Sequence, residues 1–337
     1  MKHVVKRPPS RRVGKAHRRA TKIYHRFGIS RSIVLYKGDC IKLLNRIPDQ
    51  SVQLTVTSPA YCVSKEYEPA KRIEEFVEIH QRVLPEIIRV TAKGGSICWQ
   101  VGYCVRNGSV IPLDYIVHDL MMEHIELTLR NRIIWTYGHG LHCSNRFSGR
   151  HEVILWYTRG DDFTFDLNAV RVPQKYPGKR HYRGPRKGQL SGHALGKNPS
   201  DVWDIPNVKA NHIEKTDHPC QFPVALALRL IRALTRPNAV VLDPFLGAGS
   251  TAVAAINAGR RFWGSELVAK YHSIAEKRCK AALCGSAKIR PPELSVAKPN
   301  QRDAVARMPL EFQAARKARG LPLTIWQASE GRNGSLN

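Results

Sequence analysis

Two short stretches of the chain carry residue types suited to binding and reacting with a small organic group. In the first, the apolar run Val52, Leu54, Val56 ends at Thr57-Ser58-Pro59-Ala60-Tyr61, a strand-like alternation stopped by a proline-stiffened turn with one hydroxyl and one aromatic ring. In the second, Asp243-Pro244-Phe245-Leu246-Gly247-Ala248-Gly249-Ser250-Thr251 joins a strand to a helix. Its glycines let backbone approach a ligand, and the helix start presents free N–H groups. In open α/β sheets, ligands bind just beyond the carboxyl ends of strands.

The glycine turn suits more than one cofactor. No Lys precedes its Ser-Thr pair, so it is not a phosphate loop of the NTPase kind. Gly247-x-Gly249-x-x-Ala252, with Glu266 nineteen residues after Gly247, meets the loose dinucleotide fingerprint, in which such an acid holds a ribose diol. NAD is therefore a rival. Asp243 at the strand end would repel a pyrophosphate and suits a cationic ligand such as a sulfonium; Phe245 adds an aromatic face, also favourable to a cation.

Both turns need a sheet to position them, and the pattern supplies one. Strands are expected at Ile33 to Tyr36, Val52 to Ser58, Ser96 to Val101, Arg132 to Tyr137, Glu152 to Thr158, Ala239 to Leu242 and Arg261 to Gly264. Helices are expected at Cys40 to Asn45, residues 71 to 92 (stopped by Gly94-Gly95), Leu113 to Leu129, Phe222 to Leu234, Ser250 to Ala258 and Val268 to Leu283. The alternation gives an α/β, doubly wound, mostly parallel sheet, with the strands at 132–137 and 152–158 close enough to pair antiparallel. Segment 159–200 breaks the pattern: rich in Gly, Pro, Arg and Lys, with Tyr176 and Tyr182 interleaved, it cannot make a core alone. Beyond Gly285 the chain reads as a polar tail with one helix, Glu311 to Ala318.

At 337 residues and 42% hydrophobic, the chain can bury a full core. A net charge of +27 predicts a polyanionic partner. Residues 1–32 carry eleven Lys or Arg and residues 171–200 carry eight, neither with an acid, so these two stretches hold most of the excess. Eight cysteines without a CxxC pair argue for reduced thiols in a cytosolic protein. His139, His142 and Cys143 lack a fourth ligand at standard spacing, so no metal is expected. No apolar run approaches the ~20 residues that cross a bilayer, and the basic start lacks an apolar signal core, leaving a nucleic-acid arm or an organelle transit peptide.

Taken together, the two turns resemble the hallmarks of the amino-methylating DNA methyltransferases that use S-adenosylmethionine. Asp-Pro-Phe-x-Gly-x-Gly-Ser-Thr is similar to that family's cofactor turn, and Ser58-Pro59-Ala60-Tyr61 to its catalytic (Asp/Asn/Ser)-Pro-Pro-Tyr motif. The catalytic motif comes first, as in the family's permuted beta group, an order that close-lying domain termini permit. Tyr36-Lys37-Gly38-Asp39-Cys40 resembles the segment that contacts the adenine, and His218-Pro219-Cys220-Gln221-Phe222-Pro223 the one that closes over the methionine.

The resemblance implies a class I, Rossmann-like methyltransferase core with an antiparallel hairpin and an inserted basic recognition segment. Its parts would be a flexible basic arm (1–32), a catalytic half (33–158), a target-recognition segment (159–217), a cofactor half (218–284) and a tail (285–337). S-adenosylmethionine would be held by Asp39, Cys40, His218, Phe222, Pro223, Asp243, Pro244, Phe245, Gly247, Gly249, Ser250, Thr251 and Glu266. Ser58 and the Pro59 carbonyl would accept the two N–H groups of an exocyclic base amine, and Tyr61 would stack on the flipped base. Ser at the first motif position resembles the cytosine-N4 branch more than the adenine-N6 branch. Ala60 replaces the second Pro and frees residue 59, so a looser site is expected. Arg171, Lys175, Lys179, Arg180, Arg183, Arg186 and Lys187 would track double-stranded DNA. The expected setting is the prokaryotic cytoplasm at the nucleoid, with no membrane; a cognate restriction endonuclease is left open.

Overall fold

In the computed structural model the described residues are 22–61, 72–138, 140, 142–209 and 211–291, together with Phe312, Ala314, Lys317 and Ala318. The chain divides into two units, 1–292 and 293–337. The four described residues of the second unit are helical, inside the helix expected at Glu311 to Ala318. The part of the arm before residue 22, Cys62, His139 and the rest of the tail lie outside the described residues.

In chain order the first unit runs β1 (Ile23–Tyr24), β2 (Ile33–Lys37), α1 (Cys40–Leu44), β3 (Val52–Thr57), α2 (Ile73–Val90), β4 (Thr91–Val101), β5 (Tyr103–Arg106), β6 (Ser109–Pro112) and α3 (Leu113–Met122). It continues through β7 (Leu127–Thr136), β8 (His151–Arg159), β9 (Val202–Asp204), α4 (Val224–Leu234), β10 (Val240–Asp243), α5 (Ser250–Asn257), β11 (Arg261–Glu266) and α6 (Ala269–Leu283). The main sheet has the order β1-β2-β11-β10-β3-β4-β8-β7-β9. Within it only β8 runs against its neighbours, pairing antiparallel with both β4 and β7. The expected mixed α/β, mostly parallel architecture is therefore present, and β5 and β6 add a separate antiparallel hairpin.

The strands are apolar on both faces because helices cover both. Alternate residues of one strand enter opposite cores: Ile33 and Leu35 pack with α4, α5 and α6, while Val34 packs with α1, α2 and α3. Connections from β10 run through α5 toward one edge of the sheet, and those from β3 through α2 toward the other. The neighbouring pair β10–β3 is thus the topological switch point, where crevices open beyond the strand ends. Thr57 and Asp243 are the last residues of these two strands, so the two chemically suggestive turns leave the sheet side by side.

Three expectations change and one element is added. The fold begins before residue 33: β1 pairs with β2, and Trp263 Nε1 donates to the Arg31 carbonyl at 3.0 Å, so residues 22–32 of the basic arm belong to the sheet and its packing. Helix α3 stops at Met122 rather than Leu129, because Leu127 and Leu129 follow the period of β7, not of a helix. Gly94 and Gly95 lie inside β4, where four residues of β4 (92–95) sit against one of β3 (Gln53); a Cβ on Gly94 would fall 2.0 Å from the Asp162 carbonyl oxygen. The β5–β6 hairpin was legible in Asn107-Gly108, whose φ values of 50° and 78° fit the tight turn that Asn-Gly favours. Among the described residues no helix is long and apolar enough to cross a membrane.

Across the switch point, Thr57 Oγ1 donates to Asp243 Oδ1 at 2.6 Å, both side chains buried. Burial pushes the Asp243 carboxyl up to about 6, although the Thr57 bond and the Phe245 N–H (3.1 Å) favour its ionised form. A raised folded-state value means the native protein holds this proton more tightly than the unfolded chain does, so its contribution to stability falls as pH rises from about 4 to 6 and is level above that. Measured by denaturant unfolding, the stability of the wild type relative to Asp243→Asn should drop by roughly 3 kcal/mol between pH 4 and pH 7. A difference that does not change with pH would contradict this.

Candidate active site

Beyond β3 and β10 lies a cavity of about 310 Å³, in the range of small-molecule sites. Ser58, Pro59 and Tyr61 form one wall and Pro244, Phe245, Gly247 and Ser250 another. Asp39, Cys40, His218, Phe222 and Glu266 also line it. Twelve of the sixteen residues expected in the catalytic and cofactor sets therefore meet in one space. Asp243, Gly249, Thr251 and Pro223 do not line it, and each has a structural task instead. Asp243 lies beneath the turn; Gly249, at φ 78°, abuts Ala275 of α6, where a Cβ would be 2.9 Å from that methyl. Thr251 Oγ1 reaches the Val56 carbonyl at 3.4 Å, and Pro223 caps α4.

The Ser58 turn hangs from a polar network. Tyr61 OH lies 3.0 Å from Ser58 Oγ, donates to Glu152 Oε2 at 3.2 Å and accepts from Gln100 Nε2 at 2.8 Å. Glu152 also accepts from Gln100 Nε2 and from Tyr137 OH at 3.3 Å. With the Tyr61 proton directed at the carboxylate, the Ser58 hydroxyl donates to the Tyr61 oxygen and keeps its own lone pairs for the cavity. Burial first, then Glu152, holds the Tyr61 phenol well above its ordinary value, so it stays neutral. Glu152 and Gln100 escaped the sequence reading, since each belongs to an apolar strand and only the sheet brings them to Tyr61.

The glycine turn is held by carboxylates. Glu266 Oε2 accepts from the Gly247 N–H and Oε1 from the Val268 N–H, both at 2.8 Å, and burial raises its carboxyl. Asp39 accepts from the Ile41 N–H at 2.8 Å as the N-cap of α1 while also lining the cavity. Next to it, burial and then Asp39 push the Cys40 thiol up to about 12, so it is a thiol and not a nucleophile. On the apolar side, Trp99 Nε1 donates to His80 Nε2 at 3.2 Å, and His80 Nδ1 faces the Phe76 carbonyl at 2.7 Å. Those partners fix the Nδ1–H tautomer, and burial lowers His80 to about 4. Trp99 in turn meets Phe245 edge-on at 6.2 Å.

Segment 212–223 closes the remaining side. His218 stacks edge-on with Tyr271 at 4.4 Å and sits over Gly247, where a Cβ would be 3.1 Å from its Nε2. Buried Glu214 anchors this segment: its carboxylate accepts from the Val224 N–H (2.9 Å) and the Arg290 N–H (3.0 Å) and pairs with Arg278 at 3.7 Å. Arg278 also donates to the Ala248 carbonyl at 2.7 Å and Ser250 Oγ at 3.1 Å, tying segment and glycine turn together. Glu214 gave no signal in sequence, because a buried acid that satisfies two N–H groups looks like any loop acid. Glu214→Ala leaves Arg278 buried without its countercharge and should cost about 3–5 kcal/mol in urea unfolding. A loss below about 1 kcal/mol, the level of an exposed pair, would contradict that role.

The expected DNA-contacting residues lie apart from the cavity, on segment 159–201. Lys175, Lys179, Arg183, Arg186 and Lys187 are exposed. Two also bond within the segment: half-buried Arg171 donates to the Gly196 carbonyl at 2.9 Å and exposed Arg180 to the Gly188 carbonyl, each bracing a turn-rich loop.

Residues 52–277 match the N6/N4 methyltransferase family, described as DNA methylase. The chain is 45% identical over 242 residues to the type II methyltransferase M.BglII of Bacillus subtilis, covering 72% of this chain and 67% of that one. It is 38% identical over 257 residues to the type II methyltransferase M.ScaI of Streptomyces caespitosus, covering 74% and 82%. Among solved structures, a Thermus thermophilus protein described as a DNA modification methylase, complexed with S-adenosyl-L-methionine, superposes with a TM-score of 0.54 at 28% identity, covering 74% of this chain and 96% of that one. The match spans β3 to α6, taking in the Ser58 turn, the glycine turn and Glu266, and the chain belongs to the N6/N4 DNA methylase family.

Proposed function

We propose that this protein is a site-specific DNA methyltransferase that transfers a methyl group from S-adenosylmethionine to an exocyclic base amine, cytosine N4 in preference to adenine N6. The observation that carries this reading is that the Ser58 turn and the Gly247 turn open into one cavity. Its residues fit the cofactor. Glu266 spends one lone pair of each oxygen on backbone N–H groups and keeps others for a ribose diol, while Phe245 and the acids give the walls an affinity for a cation. A pyrophosphate fits poorly, because Glu266 already occupies the Gly247 N–H that it would need. That disfavours the NAD reading on firmer ground than Asp243, which does not face the cavity.

When bound, S-adenosylmethionine supplies a methyl group on a sulfonium. The chain supplies position: Ser58 Oγ and the Pro59 carbonyl accept the amine's two N–H groups, localising a lone pair otherwise delocalised into the ring. Tyr61, fixed through its hydroxyl, offers a ring to the flipped base. Ala60 removes a restriction on Pro59, and the Tyr61–Glu152–Gln100 network offsets it by holding the turn two residues on. Exposed Lys175, Lys179, Arg183, Arg186 and Lys187 on the recognition segment 159–217, and the basic stretch 1–32, contribute phosphate contacts. A cognate restriction endonuclease rests on the family resemblance alone.

Mass spectrometry of nucleosides from DNA treated with the purified protein and labelled S-adenosylmethionine tests the reading. N4-methylcytosine is expected, and N6-methyladenine would reassign the base. No methylated nucleoside under conditions that support DNA binding would leave a noncatalytic nucleic-acid-binding homologue. In the same assay Ser58→Ala should abolish label transfer, and Glu152→Ala should lower kcat on the order of 10- to 100-fold with cofactor affinity unchanged. Full kcat in Glu152→Ala would remove that residue from the positioning network.

A further inference from the structure

The connection between β7 and β8 carries a feature that the cavity does not use. Phe147 is 101% exposed, a full phenyl ring in water. Between Gly138 and Arg150 the sequence holds no acid, and Arg146 and Arg150 flank the ring in sequence. The loop is braced on both sides of Phe147. Ser148 Oγ accepts from the Cys143 N–H at 3.1 Å, and the Arg146 guanidinium lies over the Tyr103 ring at 5.7 Å. Gly149 presses on the Tyr103 hydroxyl so closely that a Cβ there would lie 1.9 Å from its oxygen. At the loop's base the Tyr137 N–H donates to the Arg150 carbonyl at 3.0 Å, and Tyr137 OH and Glu152 belong to the network that holds Tyr61.

We propose that Phe147 is a wedge that enters the DNA base stack beside the target and fills the space vacated by the flipped base. The inference rests on the methyltransferase reading above. A protein that needs a base out of the duplex must overcome a few kcal/mol of unstacking and unpairing, and an apolar side chain inserted at the step offsets part of it. Phe147 has the properties this requires: an apolar ring, a mount braced through Cys143, Arg146 and Gly149, cationic neighbours for the flanking phosphates, and a covalent path of five residues to Glu152. Arg146 and Arg150 alone would suit any phosphate contact; the exposed ring between them points to the stack rather than the backbone.

The test uses a duplex carrying the sequence in which the protein methylates plasmid DNA, and the same duplex with the target base opposite an abasic site. On the paired duplex Phe147→Ala should slow label transfer by at least about tenfold, and Phe147→Leu by less. Opposite the abasic site, where no partner base holds the target, Phe147→Ala should recover to within about threefold of wild type. An unchanged melting temperature excludes misfolding. Equal rates for Phe147→Ala and wild type on the paired duplex, or an equal loss on both duplexes, would overturn the wedge while leaving the methyltransferase reading intact. A wild-type protein that methylates no plasmid DNA would overturn that reading and the wedge with it.

Discussion

A single buried hydrogen bond, Thr57 Oγ1 to Asp243 Oδ1 at 2.6 Å, joins two turns that lie 186 residues apart in the chain. Register alone brings the strands together, with Leu54 beside Val241 and Thr55 beside Leu242. The side-chain bond then fixes how the last residue of each strand meets the other, and so how Ser58 faces Gly247. Thr251 of α5 adds a second link to the Val56 carbonyl. Burying Asp243 is costly, as its raised carboxyl shows. The cost persists because the same oxygen also receives the Phe245 N–H, so one acid shapes the glycine turn from below and the end of β3 from the side.

Around that joint, each wall of the cavity is held by an acid bonded to backbone or hydroxyl groups. Asp39 caps α1, Glu266 holds the Gly247 and Val268 amides, Glu214 anchors the closing segment, and Glu152 holds Tyr61. Loops give a site access, but they are the least determined part of a fold, and charge-assisted bonds to backbone restore precision. The arrangement also sets the local sign of charge. In a chain of net charge +27, the cavity is lined by Asp39 and Glu266, with Arg82 as its one described cation from Lys or Arg. The basic residues of segment 159–201 do not line it, so on the proposed function a polyanion and a cationic methyl donor would be drawn to different surfaces.

Much of this was legible in the amino-acid sequence because it repeats locally. Alternation in β3, β10 and β11 and the punctuation at Pro59 and Gly247 placed both turns at strand ends, and the sheet puts them side by side. What escaped were interactions that depend on register. Asp243 was expected to face a ligand because strand-end acids often do; the sheet buries it instead. Glu152 and Gln100 lie on neighbouring strands β8 and β4, but 52 residues separate them in sequence. Leu127 and Leu129 fit either a helix or a strand, and only pairing with β8 decides between them. The basic arm hid a short strand because Ile23-Tyr24 is too brief to show any period.

On the proposed function, the cavity at the switch point takes a cationic methyl donor and not a dinucleotide. Isothermal titration calorimetry of the full chain with S-adenosylmethionine and, separately, with NAD tests it directly. One equivalent of S-adenosylmethionine should bind, Glu266→Ala should weaken it by at least about tenfold through loss of the proposed ribose contact, and NAD should give no heat of binding. Saturable binding of NAD with none of S-adenosylmethionine would contradict the account.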